Sequence, residues 1–445
     1  MKKIILILLI CLIAVPSLAQ KKAISTIRDA ETERYLHKIS DPIFEAAGLS
    51  PSSIKIIIVN DPVLNAFVSG GQNMFINTGL ITESDDPSML MGVIAHEAGH
   101  IAGGHLIKKM DDAKKSQIEA ALGYILGAAS VAVGAPPGAA IALMSGGTHV
   151  AQRNFLKFSR SHEEVADQMA LSFMEKVGIK ADGLITLMEK LNKNQNLLYD
   201  DVNPYKLTHP LSSERISHLK AAQKVEQERF LTAPLILEHL RIKAKLEAFL
   251  GDVDSVLKKY KKNESDKADY ARAIAFYRIP NIEKSLSHID TLIKKYPDDT
   301  FYHELKGQIL FENGRIEESI ISYQKAFDLM PDSPLIHLEL ASAYLSMAKN
   351  EIETEKNARI AINLLEKVVI KEAFNVHAWH QLAIAYGKNN QLGLSYMALA
   401  EKAFIYKDAE NVEKYIELAR KNLGKDSPSQ LRVHDLLKAL KEMEK

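Results

Sequence analysis

The first half of the chain mixes short apolar runs with longer stretches of helical periodicity. Three runs are short and rich in β-branched or aromatic residues, which predicts strands around Gly70 and Gly71: 54–60, 65–69 and 74–77. Four stretches predict helices: 20–50, Pro87 to about Lys109, 155–195 and 212–248, with Asp85 or Asp86 capping the second. This half is therefore predicted to be an α+β unit, mostly helical with a small sheet.

The pattern becomes entirely helical and periodic from about Lys267. Pro297 and Pro331 are separated by the 34-residue period of tetratricopeptide repeats. Residues typical of this repeat recur at Gly307, Gly314, Tyr323, Ala326, Ala341, Tyr344, Trp379, Leu382, Ala383 and Tyr386. We expect about four repeats over 267–425 with an insertion at 346–360, forming an all-α solenoid, and a generic helical bundle is the alternative.

The N-terminus has the pattern of an export signal. Lys2 and Lys3 precede the apolar run 4–15, and Ser17 and Ala19 place small residues before a cut at Gln20. The run is short for a membrane-spanning helix. We therefore expect a bacterial signal peptide over 1–19 and a periplasmic destination. Cys11 is the only cysteine, so the mature chain has none, which suits an oxidising compartment.

Charge and hydropathy add two constraints. The 445 residues carry 56 Lys and Arg against 56 Asp and Glu, which gives no basic excess for nucleic acid. No charged residue lies between Glu119 and Arg153, and Pro136 and Pro137 divide this stretch into halves too short to span a bilayer. The segment 120–152 is a buried hairpin, a lid over a cleft or a peripheral membrane contact.

The strongest chemical signal is the sequence His96-Glu97-Ala98-Gly99-His100. On a helix, His96 and His100 share one face and can both bind one zinc ion, while Glu97 lies beside it to take a proton from the attacking water. The surrounding helix is apolar, and buried polar groups need partners. The pattern predicts one Zn²⁺ per chain.

A hydrolytic zinc site needs a third protein ligand. His105 is one candidate, but on a continued helix it would face away from His96. The alternative is Glu163, which shares a helix face with Asp167, so that Glu163 would bind zinc and Asp167 would hydrogen-bond a ligand histidine. Glu164 is expected to face solvent. A plain charged helix surface is the other interpretation of this segment.

Taken together, these motifs resemble the gluzincin metallopeptidases of the CAAX-protease/HtpX/BepA type. The matching stretches are 65–67 (NAF), Gly79-Leu80, 96–100 (HEAGH), 159–167 (SRSHEEVAD) and 208–216 (THPLSSERI). Val165 departs from the family pattern, without an expected consequence. The resemblance covers about 30–250, and the repeats indicate the BepA-like branch. It implies a gluzincin fold with His96, His100 and Glu163 as ligands and Glu97 as catalytic base.

By the same resemblance, His209 approaches the metal. It either fills the open coordination position and holds the enzyme latent or stabilises the oxyanion, and a structural His-Pro turn is the simpler alternative. Arg215 either orients the substrate or Glu163 or is an ordinary surface arginine. Residues 74–77 are a candidate edge strand for pairing with an extended substrate, unless they form an internal strand.

We therefore expect a signal peptide at 1–19, a zinc metallopeptidase domain at 20–250 and a tetratricopeptide-repeat domain at 251–445. By resemblance, the expected function is cleavage of unfolded or misassembled proteins in outer-membrane protein quality control. The repeats would contact substrates or the outer-membrane assembly machinery. The alternative is a repeat-based chaperone or scaffold with latent or vestigial proteolysis.

Overall fold

The computed structural model describes residues 25–69, 72–105, 160–193, 209, 212–224, 228–347, 350–424 and 427–443. The expected signal peptide and the apolar segment 120–152 lie outside these residues, so both remain predictions. Among the described residues, no helix combines the length and apolarity needed to cross a membrane.

The sheet has four described strands in the order β1-β2-β4-β3. They are β1 (Thr26–Ile27), β2 (Lys55–Val59), β3 (Ala66–Ser69) and β4 (Asn73–Asn77). β4 pairs in parallel with β2 and antiparallel with β3, so it is an internal strand. The prediction that residues 74–77 form the substrate-binding edge is therefore wrong, and β3 is the edge strand on that side of the described sheet.

Among the described residues, seven α-helices accompany this sheet. They are α1 (Ala30–Ala46), α2 (Thr78–Glu83), α3 (Pro87–Ala102), α4 (residues 160–177), α5 (Asp182–Lys193), α6 (Ser213–Ala222) and α7 (Ala233–Leu250). Asp86 is the residue that caps α3, since its side chain accepts a hydrogen bond from the Ser88 amide. α3 ends earlier than predicted because Gly103 and Gly104 follow it, and Gly104 adopts φ +62°. The short elements β1 and α2 have no counterpart in the prediction.

The second half is a series of helical pairs. Its helices are α8 (Val253–Tyr260), α9 (Asp266–Arg278), α10 (Ile282–Lys295), α11 (Thr300–Glu312), α12 (Ile316–Leu329), α13 (Pro334–Ser346), α14 (Glu351–Lys371), α15 (Val376–Lys388), α16 (Leu392–Ile405), α17 (Ala409–Asn422) and α18 (Pro428–Met443). α9, α11 and α13 begin at 266, 300 and 334, which reproduces the 34-residue period. The predicted insertion lies at α14, which has 21 residues where α10, α12 and α16 have 14. The predicted fold class is confirmed.

Helix α7 contributes to the hydrophobic cores of both halves. Leu235, Ile242 and Leu246 pack with α1, α3 and the sheet, whereas Ala244 and Ala248 pack with α8 and α9. A helix that is apolar on two faces is expected where two units share it. The end of α7 coincides with the predicted domain boundary at 250, but the helix itself joins the two units.

A buried polar network reinforces this junction. Glu31 at the start of α1 contacts Arg241 and Lys245 on α7 and accepts a hydrogen bond from the Tyr270 hydroxyl at 2.8 Å. Burial alone would raise the pKa of Glu31, but the two cations outweigh it and lower the pKa to about 2. Arg241 also reaches Asp299 at 2.6 Å, so one arginine links α1, α7 and the repeats.

Gly307 on α11 lies where this helix packs closely against α12. A Cβ at this position would lie 2.6 Å from the Tyr323 ring, so Gly307→Ala is expected to destabilise the chain by about 1–3 kcal/mol through overpacking. Gly387→Ala is the matched control, because its Cβ would meet only Ser395 Oγ at 3.6 Å. Thermal unfolding measures both. Equal unfolding midpoints for the two variants would contradict this packing.

Candidate active site

Helix α3 carries the first part of the site. It is apolar on almost every face and buried from Pro87 to His100, so the ionisable side chains of His96, Glu97 and His100 lie inside the protein. The i, i+4 spacing places both imidazoles on one side of the helix. Their Nε2 atoms are 3.1 Å apart.

Helix α4 supplies the second part. Glu163 and Asp167 are buried on its inner face, while Glu164 is exposed, as expected. α4 approaches α3 closely because Gly99 lies at the crossing, where a Cβ would come within 2.9 Å of the Ala166 carbonyl oxygen. The glycine inside the HEAGH motif therefore determines how near Glu163 comes to the two histidines.

Four donor atoms converge between these elements. Glu163 Oε2 lies 3.4 Å from His96 Nε2, and Glu163 Oε1 lies 3.4 Å from His100 Nε2. His209 Nδ1 lies 3.4 Å from His96 Nε2 and 3.2 Å from the Glu163 carboxylate. Among the described residues, these four side chains form the one group of at least three acidic, histidine or cysteine residues within reach of a common metal ion.

The spacing of these atoms suits a metal ion. Four ligands at about 2.0–2.1 Å around a tetrahedral centre are separated from one another by about 3.3 Å. Five of the six separations among these side chains are 3.1–3.4 Å, close to this value, and the four donor atoms all lie within 4.8 Å of one another. Three imidazoles and one carboxylate are also ligands that zinc accepts. Both the geometry and the chemistry of the donor set therefore fit one zinc ion.

Arg215 and Asp167 hold the donors in place. Asp167 Oδ1 lies 3.0 Å from His96 Nδ1, the ring nitrogen that faces away from the cluster. Arg215 donates to both Asp167 oxygens at 2.7 and 2.8 Å, and its Nη1 lies 3.1 Å from Glu163 Oε2. Arg215 is only 5% exposed, so the interpretation of it as a surface arginine is wrong. Arg215 therefore connects the carboxylate of Glu163 to that of Asp167.

Glu97 lies beside the cluster, close to β3. Burial raises the pKa of Glu97 above its ordinary value, while the nearby His209 and His96 and the Val68 amide on β3 oppose the increase. Its carboxylate lies 3.4 Å from His209 Nε2. A buried carboxyl with a raised pKa is suited to accept and return a proton near neutral pH.

His209 lies between the donor set and Glu97. It comes from the segment between α5 and α6 and is only 5% exposed. Its Nδ1 faces Glu163 and His96, and its Nε2 faces Glu97. The imidazole therefore separates the other donor atoms from the Glu97 carboxylate.

His105 and His162 extend the cluster in a way that the sequence did not reveal. His105 follows the turn at Gly104 instead of continuing α3, so the argument from its helical direction does not apply. Its Nδ1 lies 3.0 Å from His100 Nδ1, and its ring stacks on that of His162 at 4.7 Å. His105 is not one of the four donors, but it contacts the outer nitrogen of His100 as Asp167 contacts that of His96.

The pKa values of the two histidines of α3 are shifted in opposite directions. Burial would lower the pKa of His96, but hydrogen bonds to Asp167 and Glu163 outweigh burial and raise the pKa to about 10. For His100, burial is the largest influence and lowers the pKa to about 3, despite the hydrogen bond to Glu163. These contacts make His96 hold a proton more tightly than His100.

Comparisons with known proteins agree with this geometry. Residues 30–223 match the family model "Peptidase family M48", and residues 307–347 match the model "TPR repeat". The chain is 23% identical to the "Beta-barrel assembly-enhancing protease" of Yersinia pestis over 81% of this chain and 73% of that protein. It is 23% identical to the protein of the same name in Escherichia coli K12 over 84% of this chain and 76% of that protein. "Metalloprotease LoiP" of Escherichia coli K12 is 28% identical over 44% of this chain and 73% of that protein. The resemblance drawn from the motifs is thereby confirmed.

Zinc binding to the metal-free chain at pH 7 is expected to release about one proton, because His96 must become neutral to bind a metal. Affinity should therefore rise with pH across the neutral range. Titration calorimetry in buffers of different ionisation enthalpy measures the release. Asp167→Asn should release fewer protons, since it removes the first partner that raises the pKa of His96. A binding heat that is independent of the buffer would contradict this assignment.

Proposed function

We propose that the chain is a zinc-dependent endopeptidase for unfolded or misassembled outer-membrane proteins in the periplasm, because residues 30–223 match the model of peptidase family M48. The observation that carries the proposal is the convergence of His96, His100, Glu163 and His209 beside the buried Glu97 carboxylate. The names of the relatives that match most of the chain support the choice of substrate class.

In this proposal, His96, His100 and Glu163 hold the zinc ion, and Asp167 and Arg215 keep His96 and Glu163 oriented. When bound, zinc would supply Lewis-acid activation of water and of the scissile carbonyl. Glu97 takes the proton of the attacking water and returns it to the leaving amine. The raised pKa of Glu97 suits both transfers.

The substrate backbone is proposed to pair with the outer edge of β3. β3 is the edge strand of the described sheet, and the Val68 amide on it faces Glu97. Main-chain hydrogen bonds depend little on the side chains of the substrate, so this mode of binding suits a protease that acts on unfolded chains. The repeats would hold substrates or the outer-membrane assembly machinery through protein contacts.

His209 is proposed to keep the enzyme latent. Its Nδ1 lies among the proposed ligands, and its Nε2 faces Glu97, so the ring blocks the position that the attacking water needs. Activation would then require movement of this one side chain. The same blocked geometry favours a second candidate function, in which the repeats act as a chaperone or scaffold and proteolysis is rare.

Glu97→Gln is expected to lower the cleavage rate by about 10²–10⁴-fold, because the amide cannot accept the proton. Zinc content should remain unchanged, since Glu97 is not among the converging donors. Digestion of an unfolded protein, together with metal analysis, measures both quantities. Glu164→Gln, an exposed neighbour of Glu163, is the control. Undiminished cleavage by Glu97→Gln would rule out its role as the base, and loss of zinc would place it among the ligands.

His209→Ala is expected to increase cleavage severalfold while zinc is retained, because removal of the ring opens the path to Glu97. The measurement is the initial rate of digestion of the same unfolded protein. His218→Ala changes an exposed histidine on α6 and should leave the rate unchanged. A loss of activity with zinc retained would overturn latency in favour of oxyanion stabilisation.

A further inference from the structure

A cavity lies where the repeats meet the peptidase domain. Its volume is about 320 Å³. It lies between the start of α1, helix α7, and helices α11 and α13 of the repeats, far in the chain from the donors of the active site. Its walls include Arg28, Lys245, Phe249, Glu304, Leu305 and Glu339.

In this cavity, one oxygen of each of two carboxylates lacks a hydrogen-bond donor among the described residues. Glu304 is only 7% exposed, and its Oε2 atom is buried without a donor among the described residues. The Oε2 atom of Glu339 is likewise buried without a donor among the described residues. A buried carboxylate oxygen without a donor is costly, so each of these oxygens is available to accept a hydrogen bond from a group outside the chain.

The cations near this pair already have partners. Lys245 contacts Asp29 and Glu31. Arg28 binds Glu372 at 2.7 Å and also pairs with Glu33. With both carboxylates ionised, the repeat side of the cavity would therefore carry excess negative charge.

The protonation of the pair reflects this imbalance. Burial, followed by repulsion from Glu339, raises the pKa of Glu304 well above its ordinary value. Burial also raises the pKa of Glu339, to about 8. An added positive charge would bring both groups back towards the ionised form and provide the missing donors.

The remaining walls favour a long cationic side chain over a metal ion. Leu305, Leu335 and Phe249 provide apolar contact, and Gln308 adds a polar group. This combination suits the aliphatic stem and charged end of lysine or arginine. Within the described part of the chain, the pair has no third acidic, histidine or cysteine residue at metal-binding distance.

We propose that this cavity binds a lysine or arginine side chain of a polypeptide, with Glu304 and Glu339 as acceptors. The site would let the repeats select basic positions in an unfolded segment, separately from the cleavage site. This inference rests on the proposed function only in taking the bound polypeptide to be a substrate.

The test uses the full chain with Glu97→Gln, so that binding is measured without cleavage. The probes are a fluorescein-labelled, N-acetylated peptide with a single lysine and the same peptide with norleucine at that position. Fluorescence anisotropy should show at least about tenfold weaker binding of the norleucine peptide, the value expected for lost hydrogen bonds to a charged group. Adding Glu304→Gln or Glu339→Gln should remove this preference, and Glu351→Gln, an exposed control, should preserve it.

Equal binding of the two peptides, or no binding of the lysine peptide at millimolar concentration, would overturn the proposal. A lysine preference that survives both glutamine substitutions would also overturn it, because the cation would then bind elsewhere. Thermal unfolding of each variant establishes that its fold is intact, and the two substitutions are independent of each other. Because cleavage plays no part in the assay, a negative result leaves the proposed protease activity unaffected.

Discussion

The balance of charge inside the peptidase domain is the constraint on which the rest of the site depends. Glu163 and Asp167 are buried among imidazoles, and the guanidinium of Arg215 reaches both carboxylates. Buried charges are tolerated only when they are paired and hydrogen-bonded. The pairing fixes α4 against α3 and directs His96 towards the other donors, so the same contacts that make burial tolerable also create a metal site.

The second feature of the architecture is that the two halves are not independent. Helix α7 shares its faces between two cores, and Glu31, Arg241 and Tyr270 connect α1 to the repeats through buried hydrogen bonds. A shift of the repeats would therefore act on α1 and α7, the helices that pack against α3. This arrangement provides a physical route by which binding to the repeats can influence the peptidase domain.

Local sequence patterns were enough to select the residues that converge in the site, but not to predict the contacts between elements distant in the chain. His96 and His100 followed from helical spacing, and Glu163 from the family pattern. The direction of His105 was misjudged because α3 ends at a glycine turn that periodicity alone does not reveal. The candidate sheet edge at residues 74–77 is an internal strand, because it pairs in parallel with β2. No local sequence pattern reveals a pairing of this kind. The contacts of Arg215 with two carboxylates likewise depend on packing between elements that are distant in the chain.

The most direct test of the account is X-ray absorption at the zinc edge of the metal-loaded chain, because it reports the ligands themselves. The account predicts three imidazole nitrogens and one carboxylate oxygen at about 2.0–2.1 Å, the signature of a site closed by His209. His209→Ala should convert the spectrum to two imidazoles with the carboxylate and a water-derived oxygen. A wild-type spectrum that already has two imidazoles would contradict latency through His209. A spectrum without the carboxylate would contradict the assignment of Glu163.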